Sequence, residues 1–174
     1  ALRDVETVKE IGADGIAVGA LTAQGRVDEE KTAELIDRAR PMSVTFHRAF
    51  DMARDPFEAL EDLIALGADR ILTSGQEASA LAGLDLLVDL VKKAGDRIII
   101  IACGDITERN IQKIIDRTGA REIHVTGFES VSSNMIFRND RVFMGGELRP
   151  PEYARNVTDE ERVRALVQKS KLKG

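Results

Sequence analysis

The sequence predicts an α/β fold of consecutive βα units, of the (β/α)8-barrel type but with about five units present, and three observations predict it. One phrase recurs three times: Gly12-Ala13-Asp14-Gly15-Ile16, Gly67-Ala68-Asp69-Arg70-Ile71 and Gly119-Ala120-Arg121-Glu122-Ile123. Each copy closes a helix-like pattern and opens an apolar run, as expected of a helix stopped by a C-terminal glycine and turned into a strand. Strand starts fall roughly 24–28 residues apart, the length of one βα unit. The strands also read as continuous apolar runs, most plainly Ile98–Ala102, the pattern of parallel strands covered on both faces.

Taken in order, Ala1–Glu10 reads as an amphipathic helix and 16–20 as the first strand. A helix over 28–40 follows the acidic cap Asp28 and aligns Ala33, Ile36 and Ala39. After the strand at 43–48, Asp55-Pro56 opens a helix over 56–66, with proline in the first turn, where its missing N–H costs nothing. The strand at 70–74 leads to a helix over 80–94 carrying Leu81, Leu84, Leu87, Val88 and Val91 at helical spacing. The strand at 98–102 leads to a helix over 107–118, capped by Thr107, with Ile111, Ile114 and Ile115 inward. The last strand is 122–126, residues 127–157 read as an irregular segment, and a closing helix spans 158–172. The whole is read as one domain over 1–174. No GxGxxG fingerprint follows a strand, so the regular period favours a barrel over a doubly wound dinucleotide fold.

Composition excludes several function classes. The net charge is −5, and the only basic cluster is Lys169, Lys171 and Lys173, so nucleic acid is not an expected partner. No apolar run is long enough to span a bilayer as a helix, so no membrane is expected either. A single cysteine, Cys103, permits no disulfide within the chain and favours the cytoplasm.

Candidate chemistry sits where barrels carry it, at the C-terminal ends of strands. His47, Arg48 and Asp51 follow the second strand as candidate catalytic residues. An imidazole can move a proton near neutral pH, and a guanidinium can hold an anion. The bland reading of the same residues is an Arg48–Asp51 ion pair fixing the loop. Thr73, Ser74 and Gly75 after the third strand, and Gly104 after the fourth, are candidate ligand contacts through hydroxyls and backbone N–H groups. Asp105 beside Gly104 opposes a phosphate there. Cys103 and His47 are the candidate metal ligands, since they end strands on the same side of the sheet, although no CxxC or MxxM spacing supports them. His124 is expected as a core histidine, and the four methionines are expected to pack.

Gly12–Thr22 (GADGIAVGALT), Val44–Asp51 (VTFHRAFD), Ile71–Gly75 (ILTSG) and Met135–Asn139 (MIFRN), in this order, together with the closing helix after Val157-Thr158, resemble the CutC family over essentially the whole chain. The resemblance implies a TIM barrel, with these strands as its fourth to eighth and the first three outside this chain. It implies a copper homeostasis protein that binds or traffics copper ions in the cytoplasm and self-associates. It also places Arg138 among the ligand-binding candidates. Two departures accompany it. Cys103-Gly104-Asp105 stands where the family has a triple-glycine turn, and the family's proposed copper cysteines lie on its first two strands. The alternative function is a barrel enzyme acting on a small phosphorylated or carboxylated metabolite.

Overall fold

The computed structural model describes residues 2–144 and 151–171. It falls into two compact units, 1–125 and 126–173.

The first unit is built on a five-stranded, all-parallel sheet of β1 (Gly15–Val18), β2 (Ser43–Phe46), β3 (Arg70–Thr73), β4 (Ile99–Ala102) and β5 (Glu122–Ile123). Strand order along the sheet is chain order. A barrel requires that succession, whereas a doubly wound sheet reverses direction at a switch point. The helix α1 (Leu2–Glu10) precedes β1, and the helices between strands are α2 (Glu29–Ala39), α3 (Pro56–Ala65), α4 (Leu84–Ala94) and α5 (Ile111–Thr118).

The repeated phrase has one physical role and two solutions. Gly12 and Gly67 have φ of +82° and +80°, and each ends its helix with the same pair of backbone bonds. Gly12 N–H and Ala13 N–H donate to Lys9 and Val8 carbonyls, and Gly67 N–H and Ala68 N–H donate to Ile64 and Leu63 carbonyls. The third copy differs. Gly119 N–H donates to the Ile115 carbonyl, while the Thr118 hydroxyl donates to Ile114 and accepts from Ala120 N–H at 3.1 Å. Asp69 of the second copy then accepts Val44 N–H at 2.7 Å and pairs with Arg40 at 2.9 Å, anchoring the start of β2.

The caps at Asp28 and Asp55 form as expected, with Asp28 accepting Lys31 N–H and Asp55 accepting Phe57 and Glu58 N–H groups. Two helices start later than expected. α4 begins at Leu84 because residues 74–83 form a loop in which the backbones of Gly75 and Gly83 touch. α5 begins at Ile111 because the Asn110 side chain accepts Thr107 N–H and donates to the Asp105 carbonyl, both at 2.8 Å, holding that turn outside the helix.

The sheet is not covered equally on its two faces, contrary to its uniformly apolar sequence. Val44, Phe46, Ile71, Thr73, Ile100 and Ala102 are buried together with Leu35, Leu60, Leu63, Leu87, Leu90, Ile111 and Ile114 of the helices. Ser43, Thr45, Arg70, Leu72, Ile99 and Ile101 on the other face are half-buried. Arg70 crosses that face, donating to Ser43 Oγ at 2.6 Å and pairing with Glu122 at 2.8 Å.

The second unit corrects the expected irregular segment. β6 (Phe128–Ser132) and β7 (Ala154–Thr158) pair antiparallel within it, and α6 (Glu160–Ser170) follows behind an Asp159 cap. Gly127 is fully occupied on its side-chain face, where a Cβ would come within 2.8 Å of Val163. Gly145, Gly146 and Pro150 lie outside the described residues. No helix among the described residues is long and apolar enough to cross a membrane.

Candidate functional site

The strand ends are organised by one carboxylate. The segment after β2 folds as a 3-10 turn, Arg48–Met52, opened by His47, and this turn carries Asp51 inward to the end of β3. The Asp51 side chain is only 7% exposed. It accepts the Thr73 hydroxyl at 2.5 Å, Ser74 N–H at 3.1 Å, Gln76 N–H at 3.2 Å and Arg48 Nε at 2.7 Å. Burial pushes its carboxyl up. The bonds from Thr73, Arg48, Ser74 and Gln76 more than reverse that, holding it below the usual carboxylate value.

Arg48 is thereby set in place. Its Nη2 donates to Ser74 Oγ at 2.7 Å, and Ser74 Oγ in turn donates to the Glu77 carbonyl at 2.6 Å. The side chain remains 48% exposed, and Nη1 has no hydrogen-bond partner among the described residues. The Asp51 hydrogen bond raises the Arg48 pKa further, with Cys103 and Asp105 adding to it electrostatically, so the guanidinium is permanently charged.

Gln76 is the residue the sequence did not flag. It holds a left-handed backbone, with φ of +58°, uncommon for a residue with a side chain. Its amide stabilises that conformation by donating to the Ala53 carbonyl at 2.6 Å, while its N–H reaches Asp51. Both bonds span more than twenty residues of chain, so no local pattern announces them.

The remaining candidates divide. Thr73 and Ser74 are fully buried, and Gly75 N–H donates to the Thr73 hydroxyl at 2.9 Å. These groups tie the loop together rather than face outward to a ligand. Gly104, with φ of +97°, packs its backbone on Ser74, where a Cβ would sit 3.1 Å away. Its carbonyl accepts Ala80 N–H at 3.0 Å, and its own N–H has no acceptor among the described residues. Arg138 lies in the second unit, where it donates to Ser132 Oγ at 3.2 Å and stacks 4.9 Å from the Tyr153 ring centre.

His47 turns toward β1. A Cβ on Gly19 would come within 2.6 Å of its ring, and its Nδ1 accepts Ala49 N–H at 3.1 Å. The neutral ring therefore carries its proton on Nε2. Cys103 follows β4, two strands from β2, and is buried. Burial pushes its thiol up to about 11, so at neutral pH the metal-free thiol is protonated. Among the described residues no three His, Cys, Asp or Glu side chains gather to hold a metal ion. His47 and Cys103 end strands two apart in the sheet, and no third such side chain joins them among the described residues. His124 is exposed on the half-buried face of the sheet rather than enclosed in the core, beside a cavity of about 480 Å³ lined also by Thr45, Arg70 and Leu72. Met42 packs, but Met52, Met135 and Met144 are exposed.

The CutC family model matches residues 1–129. A CutC family protein of Bacteroides thetaiotaomicron is 46% identical over 167 residues, covering 96% of this chain and 67% of that protein. The human copper homeostasis protein cutC homolog is 47% identical over 163 residues, 94% of this chain and 60% of its own. This chain thus spans about two thirds or less of these relatives. The crystal structure of CutC from Streptococcus agalactiae superposes with a TM-score of 0.67 at 29% identity, covering 71% of this chain and 60% of that one. Family model, relatives and the barrel-type order of the strands agree: the chain belongs to the CutC family.

Proposed function

We propose that this chain takes part in copper homeostasis, as its relatives are named, through a site for a small anionic metabolite at the C-terminal ends of its strands. The observation that carries the site is Arg48. Asp51 and Ser74 fix its Nε and Nη2, and Nη1, on a side chain that is half-exposed, is left for a ligand. The Gly104 N–H, on a loop packed against Ser74 and without an acceptor among the described residues, is a second candidate donor. Such an Arg, oriented before the ligand arrives, binds without the entropy cost of ordering a free side chain. Asp51 is a positioning residue here.

A thermal-shift panel of carboxylated and phosphorylated metabolites tests the site, with Arg48→Lys as the comparison. At least one compound should stabilise the native chain and lose about tenfold in affinity in the variant, the loss expected when a charged hydrogen bond is misplaced. A flat panel overturns the reading.

Copper itself is not routed through Cys103 and His47. Anaerobic titration with Cu(I) against a chelator should give the same result for the native chain and Cys103→Ser, and a tight site that depends on Cys103 would reverse this. Cytoplasmic location and self-association are proposals on the same family basis, and sedimentation of the purified chain addresses the second.

A further inference from the structure

The site at the strand ends has a second charged member whose role the anion reading leaves open. Asp105 follows Gly104 directly and is exposed, with a left-handed φ of +50°. Gly104 packs against Ser74, the residue that holds Arg48 Nη2, so Asp105 follows directly on a residue in contact with the Arg48 network. Its electrostatic effect on Arg48 agrees with that placement. The Asp105 carboxylate has no hydrogen bond or ion pair among the described residues, although the neighbouring Asn110 bonds its backbone carbonyl.

Charge decides what can enter. Asp51 already pairs with Arg48, so Asp105 adds negative charge at this end of the sheet that no ion pair offsets among the described residues. A phosphate monoester, bringing about −1.5 to −2 more, meets repulsion from a carboxylate that no cation offsets. A carboxylate bearing an ammonium or hydroxyl on the adjacent carbon fits differently. Its anionic end has Arg48 Nη1 and Gly104 N–H as donors, and its donor group has Asp105 as acceptor.

We propose, resting on the anion site described above, that Asp105 is a specificity-determining residue selecting 2-amino or 2-hydroxy carboxylates over phosphorylated or plain carboxylate ligands.

Ligand-observed NMR titrations of the full chain with alanine, lactate, propionate and glycerol 3-phosphate test this, using the native chain, Asp105→Asn and Arg48→Lys. Asparagine also tolerates the left-handed backbone, so Asp105→Asn keeps the loop geometry. Alanine and lactate should bind roughly tenfold more tightly than propionate, the worth of one charge-assisted hydrogen bond, with glycerol 3-phosphate weakest. In Asp105→Asn the advantage of alanine over propionate should vanish. In Arg48→Lys all carboxylate binding should weaken. If propionate or glycerol 3-phosphate equals alanine, or Asp105→Asn preserves the ranking, the selectivity is refuted while the Arg48 site stands. If none of the four binds the native chain, or if Arg48→Lys leaves carboxylate binding unchanged, the site and the selectivity fall together.

Discussion

Asp51, carried on the turn after β2, accepts the hydroxyl of Thr73 at the end of β3 at 2.5 Å. This bond joins two consecutive βα units at the point where Arg48 is positioned. Replacing the carboxylate by an amide turns one acceptor oxygen into a donor facing donors. Asp51→Asn should therefore cost about 2–3 kcal/mol, the range for losing buried charge-assisted bonds, read by denaturant unfolding.

The same residue sets an acid limit. Its folded pKa lies below its unfolded value, so the stability it contributes is present above about pH 3.9 and is lost as pH falls through the folded value. Thermal melts from about pH 5 down to about pH 2 should show a steeper acid decline for the native chain than for Asp51→Asn.

Cys103 sets the opposite limit. Its thiol is raised from 9.0 to about 11 in the folded chain, so its stabilising contribution is complete below pH 9 and is lost as pH rises toward 11. At pH 8 iodoacetamide should modify it slowly in the folded chain and rapidly after denaturation, as mass spectrometry would show. Fast labelling under native conditions would contradict its burial.

Gly75 cannot accept a side chain. Its φ is +75°, and a Cβ would collide with the Gly83 carbonyl. Gly75→Ala should cost at least about 2 kcal/mol, from backbone strain added to the clash. Gly95→Ala shares the positive φ but meets no atom within 4 Å, so it should cost less. Paired unfolding curves separate the two effects.

Arg70 and Glu122 are each about a third exposed, at 31% and 35%. Their pair should contribute about 1 kcal/mol or less, as partly solvated ion pairs do, and should weaken in high salt. A double-mutant cycle with Arg70→Met and Glu122→Gln measures it.

The repeat, the parallel strands and their helices were legible because they rest on local rules. Gly12 and Gly67 adopt the left-handed turn that a helix end requires, and Asp28 and Asp55 cap the helices they precede. The starts of α4 and α5 were not legible, since Gly75–Gly83 packing and the Asn110 side chain hold the preceding loops away from the helix. The β6–β7 ribbon was missed because its alternation is weak and its partners are far apart in the chain, as with Phe128 and Thr158. At the site, Arg48 and Asp51 were visible as an ion pair within one turn. The burial of Thr73 and Ser74, the turn of His47 toward Gly19 and the tether of Gln76 were not.

Sequence alone determined the barrel-type succession of βα units and the family, because helix periodicity, capping and strand composition act over a few residues and repeat along the chain. Tertiary structure decided which strand-end side chains are tied into internal bonds and which stay exposed. That choice depends on contacts across 22 to 26 residues, such as Thr73 to Asp51 and Arg48 to Ser74, where one buried carboxylate consumes the donors that would otherwise point outward.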